Sequence, residues 1–315
     1  MPLRFAVLGG CAVLLWLAVD WHEAFGLLRR ADAGWLILAV ILLTVQTILS
    51  AQRWRITAAQ LGIVIGPMAA LREYYLSQVV NLSLPGGVAG DVGRAVRTRD
   101  QAGLGASGQS VLFERLAGQL GLLALLALGL AITLAFPGTQ NWPDWLIAPV
   151  TFGVVTATAF VVAGYLSIRF LGRVAEPLRR ATATFRTAIA DRSVWRQQAV
   201  LSLGTALCNV AAFACCAAAL GVSLSMLATL TLVPLILFAM VLPLSVGGWG
   251  LREGAATVLF PAIGATMGEG LATSIAFGLV ILASTLPGVF IGWTHAEQRQ
   301  NDPRIADGLQ RRVER

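Results

Sequence analysis

Six stretches of this sequence, roughly 5–21, 34–52, 111–136, 145–168, 197–220 and 268–293, are nearly unbroken apolar runs. A helix needs about 20 such residues to cross the hydrocarbon of a bilayer. Inside that layer every backbone polar group must be satisfied within the protein, so a bundle of helices is the fold open to such a chain. Charge agrees: only 12% of residues are charged, 57% are hydrophobic and the mean hydropathy is +0.75. A soluble domain carries about 25% charged residues, and half that share cannot coat a globule of 315 residues. The polar segments at 22–33, 85–110, 137–144, 169–196 and beyond His295 are each too short to build a core. The first run lacks a clear small-x-small cleavage site and reads as an anchor helix rather than a signal peptide. The expected fold is an all-α polytopic membrane protein, with one transmembrane domain over residues 1–295 and a basic tail over 296–315.

Arginine gives the direction. All 23 basic residues are Arg. With the N-terminus inside, the cytoplasmic segments hold 18 of them: Arg4, Arg53, Arg55, Arg94, Arg97, Arg99, seven from Arg169 to Arg196, and five in the tail. The outside segments hold Arg29 and Arg30, while Arg72, Arg115 and Arg252 fall within or beside membrane segments. Basic residues accumulate on the cytoplasmic side, so both termini are expected there. Trp16, Trp21, Trp35, Trp54, Trp142, Trp145 and Trp293 fall near span ends, where aromatic rings partition to the headgroup level.

Two further segments break the pattern. If 57–84 crossed the membrane, every later element would invert and the seven-arginine loop would lie outside. Residues 57–103 are therefore expected to enter from the cytoplasm, turn at Pro85-Gly86-Gly87, and return. Residues 224–266 are expected to enter from outside, turn near Gly247-Gly248, and return outside. Six full spans plus two opposed re-entrant hairpins result. The units 34–136 and 197–293 then run in opposite directions, and LSLPGGVAGDVGRA loosely resembles LPLSVGGWGLREGA. Inverted repeats with Gly/Pro-interrupted helices are common in secondary transporters, whose sites lie at the repeat interface.

The same breaks carry the candidate site. Irregular backbone at membrane depth is tolerated where it lines a cavity or is covered by protein. Gly86, Gly87 and Gly90 in the first break, and Gly247, Gly248 and Gly250 in the second, permit close backbone approach. Successive N–H groups in such a turn form an anion-binding concavity; the alternative is that glycines only let helices pack closely. Arg72-Glu73, Glu114-Arg115 and Arg252-Glu253 put charges into membrane segments at about 2.5–3.5 kcal/mol each on insertion scales. Adjacent helical residues do not face each other, so each is expected to find a partner elsewhere, such as Glu114 with Arg252; for Arg252 the expected partner is a carboxylate, Glu114 or Glu253, or a lipid phosphate shared with Arg94 or Arg115. Asp91 is a cap for the returning helix or a partner for Arg94. Asn81 and Ser83 stand ready to satisfy loose backbone groups. Cys11, Cys208, Cys215 and Cys216 all sit in apolar runs and read as packing residues. His22 and His295 lie at opposite ends of the chain, and no metal, cofactor or nucleic-acid partner is expected.

At these residues the sequence resembles a known family. NLSLPGGVAGDVGRAVR, FERLAGQ and LPLSVGGWGLRE are similar to three characteristic stretches of the lysylphosphatidylglycerol synthase transmembrane-region family, the flippase-like membrane proteins. The likeness runs from about residue 10 to 295. It implies a lipid-handling domain of a bacterial inner membrane, in the short form without the soluble aminoacyl-transferase domain. The residues it carries over are Asn81, Pro85, Gly86, Gly87, Gly90, Asp91, Arg94, Glu114, Arg115, Gly247, Gly248, Gly250, Arg252 and Glu253. Membrane lipids are the expected partners, with glycosyltransferases or lipid-synthesis enzymes as neighbours in a pathway. Two functional classes stand: a flippase or transporter for an anionic headgroup, phospholipid or polyprenyl-phosphate-linked, and a membrane-embedded transferase acting on such a lipid. An accessory subunit of a lipid or glycan pathway is a third reading.

Overall fold

The computed structural model describes residues 21–84, 86–136, 143, 176–241 and 247–300. The expected spans over 5–20 and 145–168, Pro85, the start of the seven-arginine loop and the tail beyond 300 lie outside the described residues. Ten α-helices are described: α1 Trp21–Arg29, α2 Ala33–Gln60, α3 Pro67–Ser83, α4 Ala89–Arg97, α5 Arg99–Ala135, α6 Glu176–Ala190, α7 Trp195–Ala219, α8 Met226–Phe238, α9 Leu251–Leu259 and α10 Met267–Gln300. No strand occurs among the described residues. Four helices are long and apolar enough to cross a bilayer: α2, α5, α7 and α10 as far as Phe290.

Local chemistry sets most boundaries. Asp32 accepts a hydrogen bond from the Gly34 N–H at 2.7 Å and starts α2. Pro67 opens α3, where its missing N–H is harmless. Ser225 caps α8. Thr266 and Glu269 exchange hydrogen bonds at the start of α10, a capping box. Two boundaries differ from the sequence expectation. α2 continues to Gln60, past Arg53-Trp54-Arg55, because Arg53 and Trp54 are buried in protein and not delivered to a headgroup layer. α5 starts at Arg99, not near 111, since Ser107 and Ser110 turn inward. α5 is broken at Gly103, whose φ of 82° and ψ of 163° are far from helical.

α3 and α4 form a helical hairpin. Ser77 lies against Gly90 and Asp91, and Glu73 pairs with Arg97, so the two limbs run antiparallel. α8 and α9 also pack on each other, and Ala228 and Leu232 of α8 share a small apolar cluster with Leu259 at the end of α9 and Ala262 just beyond it. α2 and α7 also lie antiparallel, with Asp32 bonded to Ala219 and Thr57 to Gln198. Around that pair the neighbours correspond: α5 packs on α8 as α10 packs on α3, and α5 meets α7 as α10 meets α2. Among the described residues, the largest apolar cluster joins α7, α9 and α10 through Phe213, Ala256, Leu271 and Phe277, with Phe260 just beyond α9 and with Cys215 and Cys216 buried in it.

The first hairpin depends on one close contact. A Cβ on Gly90 would lie 2.0 Å from the Ser77 carbonyl oxygen, which is backbone and cannot rotate away. Gly90→Ala is expected to push α4 off α3 and to destabilise by about 1–3 kcal/mol or more, the usual range for overpacking. Thermal unfolding of the purified protein checks this; a melting curve matching wild type would show that the limbs have room to separate.

Candidate functional site

The first helix break is held by its own side chains. Gly86 and Gly87 both have positive φ, 92° and 61°, which reverses the chain between α3 and α4. Asn81 accepts a hydrogen bond from the Gly90 N–H at 2.7 Å, satisfying a donor of the first turn of α4. Asp91 is not a cap. Its Oδ1 accepts from the Ser77 hydroxyl at 2.8 Å and from Arg94 Nη2 at 3.0 Å.

From Asp91 a chain of alternating charges runs inward. Arg115 pairs with Asp91 on one side and donates to the Gly87 carbonyl at 2.8 Å. Arg94 Nη2 lies 3.4 Å from Glu114 Oε2, and Arg53 Nη2 lies 2.5 Å from Glu114 Oε1. Arg53 Nη1 then donates to Thr205 on α7 at 2.8 Å. Arg94 and Glu114 are each 1% exposed, whereas Arg115 is 43% exposed. The Arg94 guanidinium lies over both Trp54 and Tyr74, 4.5 and 4.7 Å from the ring centroids, a cation–π arrangement. The Tyr74 hydroxyl also donates to Glu114 at 3.3 Å. Glu73 joins Arg72 and Arg97 at the outer edge. These five arginines face three carboxylates, a net of two positive charges. Arg94 Nε and Nη1 and Arg53 Nε are buried without a hydrogen-bond partner. Orphaned buried donors are uncommon, and here they belong to cations.

The second break builds a separate, neutral cluster. Glu253 reaches back to the Gly250 N–H at 2.6 Å and starts α9. Arg252 Nη2 and Nε bond Glu253 Oε1 at 2.5 and 3.1 Å, and Nε also bonds Ser274 at 2.9 Å. The guanidinium lies over Trp249 and Phe277. Of the two carboxylates expected as partners of Arg252, Glu253 is the one it meets and Glu114 is not. Side chains on a helix lean toward its N-terminus; Glu253 turns back to cap α9 and meets its long neighbour there. Glu114 is taken by Arg53 and Arg94 instead.

The breaks themselves touch. A Cβ on Gly247 would lie 3.4 Å from the Cα of Leu82, at the end of α3, while Gly248 sits against Met240. Asn81, Gly86, Gly87, Gly90, Asp91, Arg94, Glu114 and Arg115 are thus brought together. Arg252, Glu253 and Gly250 form their own group, and Pro85 lies outside the described residues. The sequence does not mark Arg53, Trp54, Tyr74 or Thr205 as site residues, and its assignment of Trp54 to a headgroup boundary is corrected by complete burial. A signal for Arg53 is present: Thr47, Ser50, Arg53 and Thr57 follow helical spacing along one face of an apolar helix, and all are buried.

Apolar helices, paired helix breaks and a buried, charge-balanced ion network with half-exposed arginines at its edge define a helical membrane protein built around buried charge. The chain belongs to the lysylphosphatidylglycerol synthase TM region family, whose model matches residues 2–288. Membership links this membrane protein to lipid handling. No curated protein and no solved structure matches the chain.

Proposed function

We propose that the protein moves an anionic lipid headgroup, phospholipid or polyprenyl-phosphate-linked, across a bacterial inner membrane. The observation that carries this reading is Arg94: a cation, 1% exposed, lying over two aromatic rings, with two N–H-bearing nitrogens unused. A planar guanidinium recognises phosphate in a fork geometry, and the surplus positive charge that such a group would neutralise lies on the half-exposed arginines at the edge of the network, Arg72, Arg97 and Arg115. The antiparallel α2–α7 pair and the matched neighbours on either side support an inverted repeat, with α3–α4 and α8–α9 as opposed re-entrant hairpins whose breaks meet at the repeat interface. In this arrangement both termini are cytoplasmic. The cluster at Arg252 is the counterpart of the Arg94 cluster in the second unit.

Arg94→Ala strands no carboxylate, because Glu114 keeps Arg53 and Asp91 keeps Arg115 and Ser77. The variant is expected to fold and to slow translocation of fluorescent phosphatidylglycerol in proteoliposomes by roughly tenfold to a hundredfold, the value of a charge-assisted hydrogen bond of about 1.5–3 kcal/mol. Wild-type protein that moves no anionic lipid, in either direction, would end the flippase reading and leave the transferase or accessory roles.

A further inference from the structure

We propose that the Arg115–Asp91 ion pair is the entrance of this site: a phosphate headgroup, its acyl chains still in the bilayer, enters sideways along the seam between α4 and α5, takes Arg115 from Asp91 and passes to Arg94. The inference rests on the lipid-transport reading and specifies where and in what order the headgroup binds.

Exposure falls along the charge chain. Arg115 is 43% exposed, and the next cation inward, Arg94, is 1% exposed. The seam around Arg115 has an apolar rim. Val88, Val92 and Val96 are exposed beside or on α4, and Leu112, Leu116 and Leu120 are exposed on α5. Acyl chains match that rim, and a phosphate matches the half-exposed arginine within it. A soluble anion has the second match only.

Opening the pair leaves no stranded charge. When a phosphate takes Arg115, Asp91 still holds Arg94 and the Ser77 hydroxyl. Arg94 in turn has Nε and Nη1 free for the same phosphate. Arg115 also holds the Gly87 carbonyl, within the two positive-φ glycines, so its departure frees the break itself. One side chain thus keeps the seam closed and receives the ligand that opens it.

The test uses the full chain in phosphatidylcholine nanodiscs doped with phosphatidylglycerol, with association followed by lipid exchange and native mass spectrometry. Arg115→Ala and Arg115→Gln are compared with wild type. Gln retains a donor for the Gly87 carbonyl and loses the charge. Both variants are expected to slow phosphatidylglycerol association roughly tenfold, since loss of an attractive rim charge acts chiefly on the on-rate. Glycerol phosphate and inorganic phosphate are expected to compete weakly or not at all. Restoration by Gln would mean that Arg115 only braces the break, and the entrance assignment would be withdrawn. Wild-type rates in both variants would overturn it as well. Strong competition by inorganic phosphate would replace the lipid with a soluble anion. Absence of phosphatidylglycerol binding to the wild-type protein would instead remove the transport reading beneath it.

Discussion

Glu114→Ala is expected to lower the stability of the folded protein by about 3–5 kcal/mol, the range for breaking a buried ion pair from one side. Glu114 is the one carboxylate shared by Arg53 and Arg94, and it also accepts from Tyr74. Its removal leaves Arg53 with Thr205 alone and Arg94 with Asp91 alone. Two cations then share a low-dielectric interior with less compensation than either needs. Thermal unfolding in one detergent, with monodispersity as a second readout, measures the loss. The double variant Arg53→Met, Glu114→Met removes the opposing charges together and is expected to recover much of it, because the desolvation cost disappears with the pair. Were the single variant as stable as wild type, the network would not be a structural unit.

The second large effect is expected at Arg252, which is 0% exposed. Arg252→Ala takes two nitrogens from Glu253 and leaves that carboxylate with the Gly250 N–H and the Ser274 hydroxyl. It also removes the cation over the Trp249 and Phe277 rings. A loss of about 3–5 kcal/mol follows from the stranded charge, with translocation falling in step. Arg252→Lys is expected to lie between Ala and wild type, since one ammonium cannot reproduce a fork that serves both Glu253 and Ser274. Yield and melting temperature, measured beside lipid translocation in liposomes, separate folding from transport. A well-folded Arg252→Ala protein moving lipid at the wild-type rate would remove Arg252 from both roles.

What was legible in the sequence was the part governed by local chemistry. Trp195–Ala219 is an apolar run closed by a turn, and its predicted limits of 197 and 220 differ from the helix by two residues or fewer. Both helix breaks are readable, because Gly86-Gly87 and Gly247-Gly248 have few other uses between apolar segments. Asn81 is readable for the same reason: a short amide before a break has a loose N–H to satisfy. The pairing of charges is readable only in part: Asp91 with Arg94 and Glu253 with Arg252 stand among the expected partners, whereas Arg53 with Glu114 does not. Arg53 follows the apolar run of its helix directly and looks like a cytoplasmic anchor until α5 and α7 supply Glu114 and Thr205. Arg252 and Glu253 point apart on an ideal helix, and only the cap at Gly250 brings them together. Helix ends fail likewise: α2 outlasts its hydrophobic run because tertiary burial supports Arg53 and Trp54 where composition alone predicts a boundary.

The antiparallel crossing of α2 and α7 has a consequence for direction. In the proposed inverted repeat, a scaffold with matched neighbours on either side would look much the same from both leaflets, so its skeleton would offer little basis for one-way traffic. The side chains differ where the backbone does not: one break has half-exposed surplus cations at its edge, and the other holds a neutral pair closed on itself. About 12 Å of α7 separates Thr205, at the first network, from Phe213, which packs on Phe277 beneath Arg252. Any rectification would therefore arise from unequal affinity at two nearby stations: a lipid would bind at one, cross a single turn-to-turn contact, and find little to hold it at the other.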